Sequence, residues 1–134
     1  MSADLYGQAI KDLAAAETAR LDSPDASATL DNPLCGDKVT LDVRLADDGR
    51  VAETGGAVKG CLLCKAAAAV LAERAPGLGA DDAAALAADV AAMLKQGAEP
   101  PFPALAAFVP VRGHKSRHGC VLLPFKVLAK ALGR

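Results

Sequence analysis

Tryptophan is absent, and aromatic residues make up only 3% of the 134-residue chain. A core built here cannot rest on large rings. With 31 alanines inflating the 52% hydrophobic content, it must come from Leu, Val, Ile and three Phe packed across close Ala faces. Charge of either sign is equally scarce in excess. Fifteen Lys and Arg face 16 Asp and Glu, a net charge of −1, so electrostatic capture of nucleic acid or membrane is not expected. No apolar run approaches the roughly 18 residues of a membrane-spanning helix. Asp4 and Tyr6 stand where an export signal would carry basic and then apolar residues, so a cytoplasmic protein is expected. No internal repeat is visible. The length suits one domain over residues 1–134.

The periodicity that is present sets out the elements. Leu5, Ala9, Ile10 and Leu13 follow helical spacing and predict a helix over 4–20, broken by Ser23-Pro24-Asp25. A short strand is expected around Ala28–Leu30. Val39, Leu41, Val43 and Leu45 alternate with Lys38, Thr40, Asp42 and Arg44, the clearest strand pattern in the chain. Asp47-Asp48-Gly49 reads as a hairpin turn, and a return strand runs from Arg50-Val51 to about Val58, weakened or bulged at Gly55-Gly56. Helices are predicted over about 61–74 and 81–96, with Asp81-Asp82 as caps and Pro76-Gly77 and Gly97 as stops. A short helical piece over 102–109, a basic loop over 110–119 and a last helix over 121–132 follow, with Pro124 in its first turn. One sheet face is apolar and must be covered, so helices packed on one side are expected.

Four cysteines carry most of the chemical interest: Cys35, Cys61, Cys64 and Cys120. In a reducing compartment they point to metal, redox or nucleophilic chemistry. Cys35 lies in Asn32-Pro33-Leu34-Cys35-Gly36-Asp37, a loop shaped by Pro33 and Gly36 that can aim a thiol and a carboxylate at one spot. Cys61 sits where the sheet hands over to a helix, and Cys120 sits just before the last helix. Helix starts favour thiolate, the form that binds metal and attacks sulfur. Three thiolates with the Asp37 carboxylate suit Zn²⁺ or an iron–sulfur cluster rather than a hard cation. The spacing matches no zinc-finger pattern, and scattered buried cysteines remain the alternative.

The wording of the motifs goes further. Asn32-Pro-Leu-Cys-Gly-Asp37, then Asp48-Gly49-Arg50-Val51, Gly60-Cys61-Leu62-Leu63-Cys64-Lys65-Ala66 and a Cys120 followed by an amphipathic helix resemble the IscU/SufU/NifU N-terminal family of iron–sulfur cluster assembly proteins. The long gap from Cys61 to Cys120, with Phe102-Pro103, Pro110-Val111-Arg112 and Arg117, is similar to the SufU-type branch. The resemblance implies an α+β domain, a small antiparallel three-stranded sheet with helices on one face. It implies Cys35, Asp37, Cys61 and Cys120 as ligands of Zn²⁺ or a transient 2Fe–2S cluster, with Cys35 or Cys120 as sulfur acceptor. Expected partners are a pyridoxal-phosphate cysteine desulfurase of the SufS/IscS type and downstream acceptor proteins. The chain would act as a scaffold or as a zinc-dependent sulfurtransferase partner.

Several residues depart from that pattern. Cys64 stands where Ser is common in the family, and Gly119 stands where the IscU type has His before the last cysteine. The Leu-Pro-Pro-Val-Lys chaperone motif is absent. Cys64 reads as a buried replacement for Ser, as a spare ligand, or as half of a Cys61/Cys64 redox pair. His118 is a candidate ligand two residues from Cys120, whereas His114 reads as an exposed loop residue. The basic run 112–118 reads as a solvated loop or a dock for an acidic partner. Two rivals from other classes are a structural zinc-binding interaction domain and a dithiol oxidoreductase.

Overall fold

The computed structural model describes residues 7–16 and 18–134. In chain order the α-helices and strands are α1 (Gln8–Ala14), β1 (Ala26–Asn32), β2 (Asp37–Leu45), β3 (Val51–Lys59), α2 (Leu62–Arg74), α3 (Ala80–Gln96) and α4 (His118–Ala131). Two 3₁₀ stretches, Pro103–Gly113 and Lys115–Arg117, lead from α3 to α4. The strands form one antiparallel sheet in the order β1-β2-β3. The fold is α+β, as expected, with the helices gathered on one sheet face.

The period of two in β2 decides which face that is. Val39, Leu41 and Val43 are buried beneath the helices, and their partners Leu30, Ala28, Val58 and Gly56 share that face. α4 is the central helix, in contact with β1, β2, α2 and α3. Val121, Leu122, Phe125 and Leu128 of α4 meet Leu63, Val70 and Leu71 of α2 in the buried core, where Phe108 stands among the largest fully buried side chains. Ala66 to Ala69 of α2 are all buried. Their small side chains let helices approach closely where large ones would hold them apart.

The first helix is shorter than its periodicity suggests. α1 ends at Ala14, and residues 18–21 form an irregular strap beside the sheet; residues 4–6 and Glu17, where helix was also expected, lie outside the described residues. Tertiary bonds explain the exit from helix. Gly56 N–H donates to the Ala19 carbonyl at 2.9 Å, so the strap pairs with the outer edge of β3. Arg20 then reaches across to Asp42 with two bonds of 2.6 and 2.9 Å. Gly55 and Gly56 are no bulge. The one register shift lies between Arg44 and Leu45. A Cβ on Gly55 would collide with the Ala19 carbonyl and Leu21, and one on Gly56 with the Thr40 carbonyl, so the pair exists for close backbone approach.

β1 extends beyond the expected 28–30 because every residue from Ala26 to Asn32 finds a partner in β2. The expected loop 110–119 is instead 3₁₀ to Gly113 and helix from His118. His118 is buried, and its Nε2 lies 3.0 Å from the Val111 carbonyl and 3.1 Å from that of Arg112. Those contacts anchor the helix start ahead of the apolar stripe that signalled it. Cys120 therefore lies in the first turn of α4, and Pro124 lies in its interior rather than its first turn. The missing N–H of Pro124 leaves the Cys120 carbonyl without its helical donor.

Asp42 is the buried charge of the outer sheet face, its side chain fully covered. Ser27 Oγ and Leu21 N–H join Arg20 in donating to it. The Arg20 bond, opposed by burial and helped by Ser27, holds its carboxyl well below the usual carboxylate range, at about 2. Because the folded value lies below the unfolded one, this stabilisation is full above about pH 4 and fades as pH falls toward 2. Asp42→Ala is expected to cost about 2–4 kcal/mol at pH 7 in urea unfolding, and the deficit should shrink along the acid limb.

Candidate metal and sulfur centre

One end of the helix-covered sheet face gathers the side chains that could hold a metal. Asn32 closes β1 and Asp37 opens β2, and the two are register partners. Between them the chain turns through Pro33 to Gly36. Cys35 N–H and Gly36 N–H both donate to the Asn32 carbonyl, at 3.3 and 2.9 Å, and Gly36 takes φ +71°, which a side chain would resist. The turn aims Cys35 back over the sheet end. Asp37 has the same parity as Val39, so its carboxylate points toward the helices and is 1% exposed.

Asp37 is oriented from the next crossing of the chain. Cys61 N–H, at the N-cap of α2, donates to Asp37 Oδ1 at 3.0 Å. A Cβ on Gly60 would stand 2.5 Å from the same oxygen, so only glycine lets β3 end this close. With Oδ1 held, Oδ2 turns to the sulfurs. It lies 3.1 Å from Cys35 Sγ and 3.8 Å from Cys61 Sγ. Cys120, fully buried in the first turn of α4, brings its Sγ to 3.0 Å from Cys35 Sγ. Ligand atoms of Cys35, Asp37 and Cys120 all lie within 4.8 Å of one another. Cys61 stands at the edge of this group through its contact with Asp37.

The electrostatics differ from what helix starts alone suggest. Burial pushes the Cys120 thiol far up, and the hydrogen bonds its S–H makes to Cys35 and Asp37 add to the rise. Cys35 is also raised, chiefly by desolvation. Burial outweighs the favourable helix start at Cys120, so the Cys35 and Cys120 thiols hold their protons more tightly than free cysteines do. A thiophilic cation would supply the missing positive charge. The donor set of three thiols and one carboxylate fits Zn²⁺ or an iron–sulfur cluster and leaves hard cations short of oxygen.

The other candidates separate. Cys64 is wholly buried and lies outside the compact group, with its thiol pushed far up by burial first and by Asp37, Cys61 and Cys35 after that. His118 is turned to backbone carbonyls, away from a ligand role. His114 is exposed. Arg112 of the basic run is not free in solvent. It donates to the Met93 and Ala98 carbonyls and pins the 3₁₀ stretch to α3. Sequence reasoning missed Gly60 and Gly119, which contribute room rather than atoms. A glycine beside each of two candidate ligand cysteines was the available signal. Gly60→Ala is expected to displace Asp37 and weaken zinc binding by about 10- to 100-fold in calorimetric titration. Gly113→Ala, with open space around it, should leave that affinity unchanged.

The comparisons agree with this geometry. The model of the NifU-like N-terminal domain matches residues 14–109. The crystal structure of a nitrogen-fixing NifU-like protein (N-terminal) from Brucella abortus superposes with a TM-score of 0.87 at 32% identity, over 96% of this chain and 92% of that one. A candidate iron–sulfur cluster assembly scaffold protein for the SUF system, from Fervidobacterium islandicum AW-1, superposes with a TM-score of 0.86 at 25% identity, over 96% of each chain. A hypothetical protein of known structure gives 0.78 at 27% identity, over 97% of this chain and 98% of that one. No functionally curated protein matches in sequence. A family match across more than half the chain, on a fold that brings Cys35, Asp37 and Cys120 together, means that the chain belongs to the NifU-like N-terminal domain family, whose members are iron–sulfur cluster scaffolds.

Proposed function

We propose that this protein accepts sulfur from the persulfide of a pyridoxal-phosphate cysteine desulfurase and assembles or relays it for iron–sulfur clusters, in the manner of the SufU-type branch. The observation that carries this reading is the packing of Cys35 Sγ, Asp37 Oδ2 and Cys120 Sγ into one group at a sheet end. Cys35, Asp37, Cys61 and Cys120 would hold the cargo, Zn²⁺ or a 2Fe–2S unit. Held by these residues, a cation would keep their thiols in the thiolate form that attacks sulfur.

The chain's own residues then define the transfer. A thiolate attacks the outer sulfur of the donor's persulfide. A new S–S bond forms to that sulfur, the donor's S–S bond breaks, and the donor cysteine leaves as thiolate with the electron pair. No net oxidation occurs, and the proton on the outer sulfur travels with it. Cys35 is the better placed acceptor, since it is half-buried in a loop whose neighbour Leu34 is 86% exposed, whereas Cys120 is fully buried. Cys120 lies 3.0 Å away and can take the sulfur on or share a bound metal. Asp37 supplies the weak ligand. A carboxylate yields its place more readily than a thiolate, which suits cargo that must leave. The partner and the cytoplasmic setting belong to the same proposal. Among the described residues no helix is long and apolar enough to cross a membrane.

The test begins with anaerobic purification and assay of zinc, iron and labile sulfide. Cysteine and a cysteine desulfurase are then added, and a mass gain of about 32 Da, one sulfur atom, is expected on Cys35 or Cys120. Absence of both metal and sulfur uptake contradicts the proposal. Cys64→Ser should keep metal stoichiometry and sulfur uptake, because that thiol lies outside the group. Loss of function in Cys64→Ser with Asp37→Ala unaffected would instead support a Cys61/Cys64 dithiol oxidoreductase. Zinc that resists chelators and unfolds the protein on removal would support a structural zinc domain.

A further inference from the structure

Asn32 has two ends, and only one is used. Its side chain is 9% exposed and faces α4 from the end of β1. Oδ1 accepts a hydrogen bond from Leu34 N–H at 3.2 Å, which closes the turn before Cys35. That bond fixes which end of the amide is which. Nδ2 points the other way, is buried, and has no hydrogen-bond partner among the described residues. No other buried side-chain nitrogen or oxygen among those residues stands alone in this way. Buried amide donors in folded proteins are almost always paired, so an orphan beside a ligand site calls for a function.

Its surroundings say which. A Cβ on Gly119 would come within 2.8 Å of Nδ2, so the amide lies against the bare Cα of the residue before Cys120. Any side chain at 119 would push it out. The same residue's carbonyl holds the Cys35 turn through the Cys35 and Gly36 N–H groups. Asn32 therefore touches both halves of the site, one through its backbone and the other through its amide. The helix start that Nδ2 meets presents N–H donors, which cannot satisfy another donor. Sulfur can. A thiolate accepts N–H hydrogen bonds well, and such bonds set both the orientation and the electron density of metal-bound sulfur.

We propose that Asn32 is a positioning residue for cargo: its Nδ2–H donates to the Cys120 sulfur when that sulfur is a metal- or cluster-bound thiolate. Cys120 Sγ lies 3.0 Å from Cys35 Sγ, at the sheet end that Asn32 and Asp37 close as register partners. The bond forms on loading and so favours the loaded site over the empty one. This inference rests on the reading of the site as a thiolate metal centre.

Cobalt(II), a spectroscopic stand-in for zinc, tests it on the full chain. Wild type, Asn32→Asp, Asn32→Ser and Gly119→Ala are reduced, freed of metal and titrated anaerobically. Asp and Ser at 32 keep an acceptor for Leu34 N–H and lose the amide donor, and Ser does so without adding charge. Gly119→Ala keeps Asn32 and displaces Nδ2. All three should move the thiolate-to-cobalt charge-transfer band to longer wavelength and weaken cobalt binding by about 10- to 100-fold, with far-UV circular dichroism unchanged. Variants that bind and absorb as wild type overturn the inference and leave the site reading standing, as does a lowered melting temperature with an unmoved band. A wild-type protein that shows no cobalt–thiolate band overturns the site reading and this inference with it.

Discussion

The Asp37 carboxylate, held by the Cys61 amide at 3.0 Å, is the contact on which the rest of the site depends. It ties the start of β2 to the start of α2 across 24 residues of chain. Once Oδ1 is occupied by that N–H, Oδ2 has one direction left, toward Cys35 and Cys61. The strand register fixes the rest. Asn32 pairs with Asp37, so the Cys35 turn must close over the same sheet end, and α4 packed on β1 and β2 delivers Cys120 there. A one-residue slip of β2 would send Asp37 to the outer face, where Lys38 now points, and the site would lose both its carboxylate and its register partner.

Space matters as much as ligands. Gly60 admits Asp37 and Gly119 admits Asn32, and in each case a single methyl would stand closer than atoms tolerate. The outer face shows the same device. Gly55 and Gly56 let the strap and a neighbouring strand approach, and Asp42 holds the strap through Arg20. The sheet thus carries one buried carboxylate on each side. Asp42 is fully neutralised by hydrogen bonds from Arg20, Ser27 and Leu21. Asp37 has one N–H and otherwise faces thiols. The first is arranged for stability, and the second leaves capacity for a cation.

Periodicity made β2 and α3 legible, because each buries one regular face, whereas α2 is buried on all sides from Ala66 to Leu71 and was legible from its stop at Pro76-Gly77. It failed where tertiary hydrogen bonds override local pattern. Residues 18–21 have helix-compatible chemistry but pair with Gly56 and Asp42, and the start of α4 is set by His118 on the carbonyls of Val111 and Arg112 rather than by its own apolar stripe. Cysteine spacing alone left the site undecided. Cys35 and Cys120 are 85 residues apart, and no local rule joins them. The Asn-Pro-x-Cys-Gly-Asp wording did, by resemblance. At Cys120 burial outweighs the helix start and holds the thiol up, and the cysteine's burial is not visible in its sequence position. Asn32 was legible as a turn former, while its second role depends on what stands at Gly119, a contact across 87 residues visible only once α4 is in place.

The account predicts a mixed ligand set, and that is its most exposed point. X-ray absorption at the zinc edge of the loaded protein reads it directly. Three sulfurs at about 2.3 Å and one oxygen at about 2.0 Å are expected, from Cys35, Cys61, Cys120 and Asp37. Four sulfurs would bring Cys64 into the shell and remove Asp37. A nitrogen-bearing shell would bring in His118 or His114. Either result would contradict the claim that a carboxylate held by a backbone amide leaves one weak, yielding position in a thiolate site.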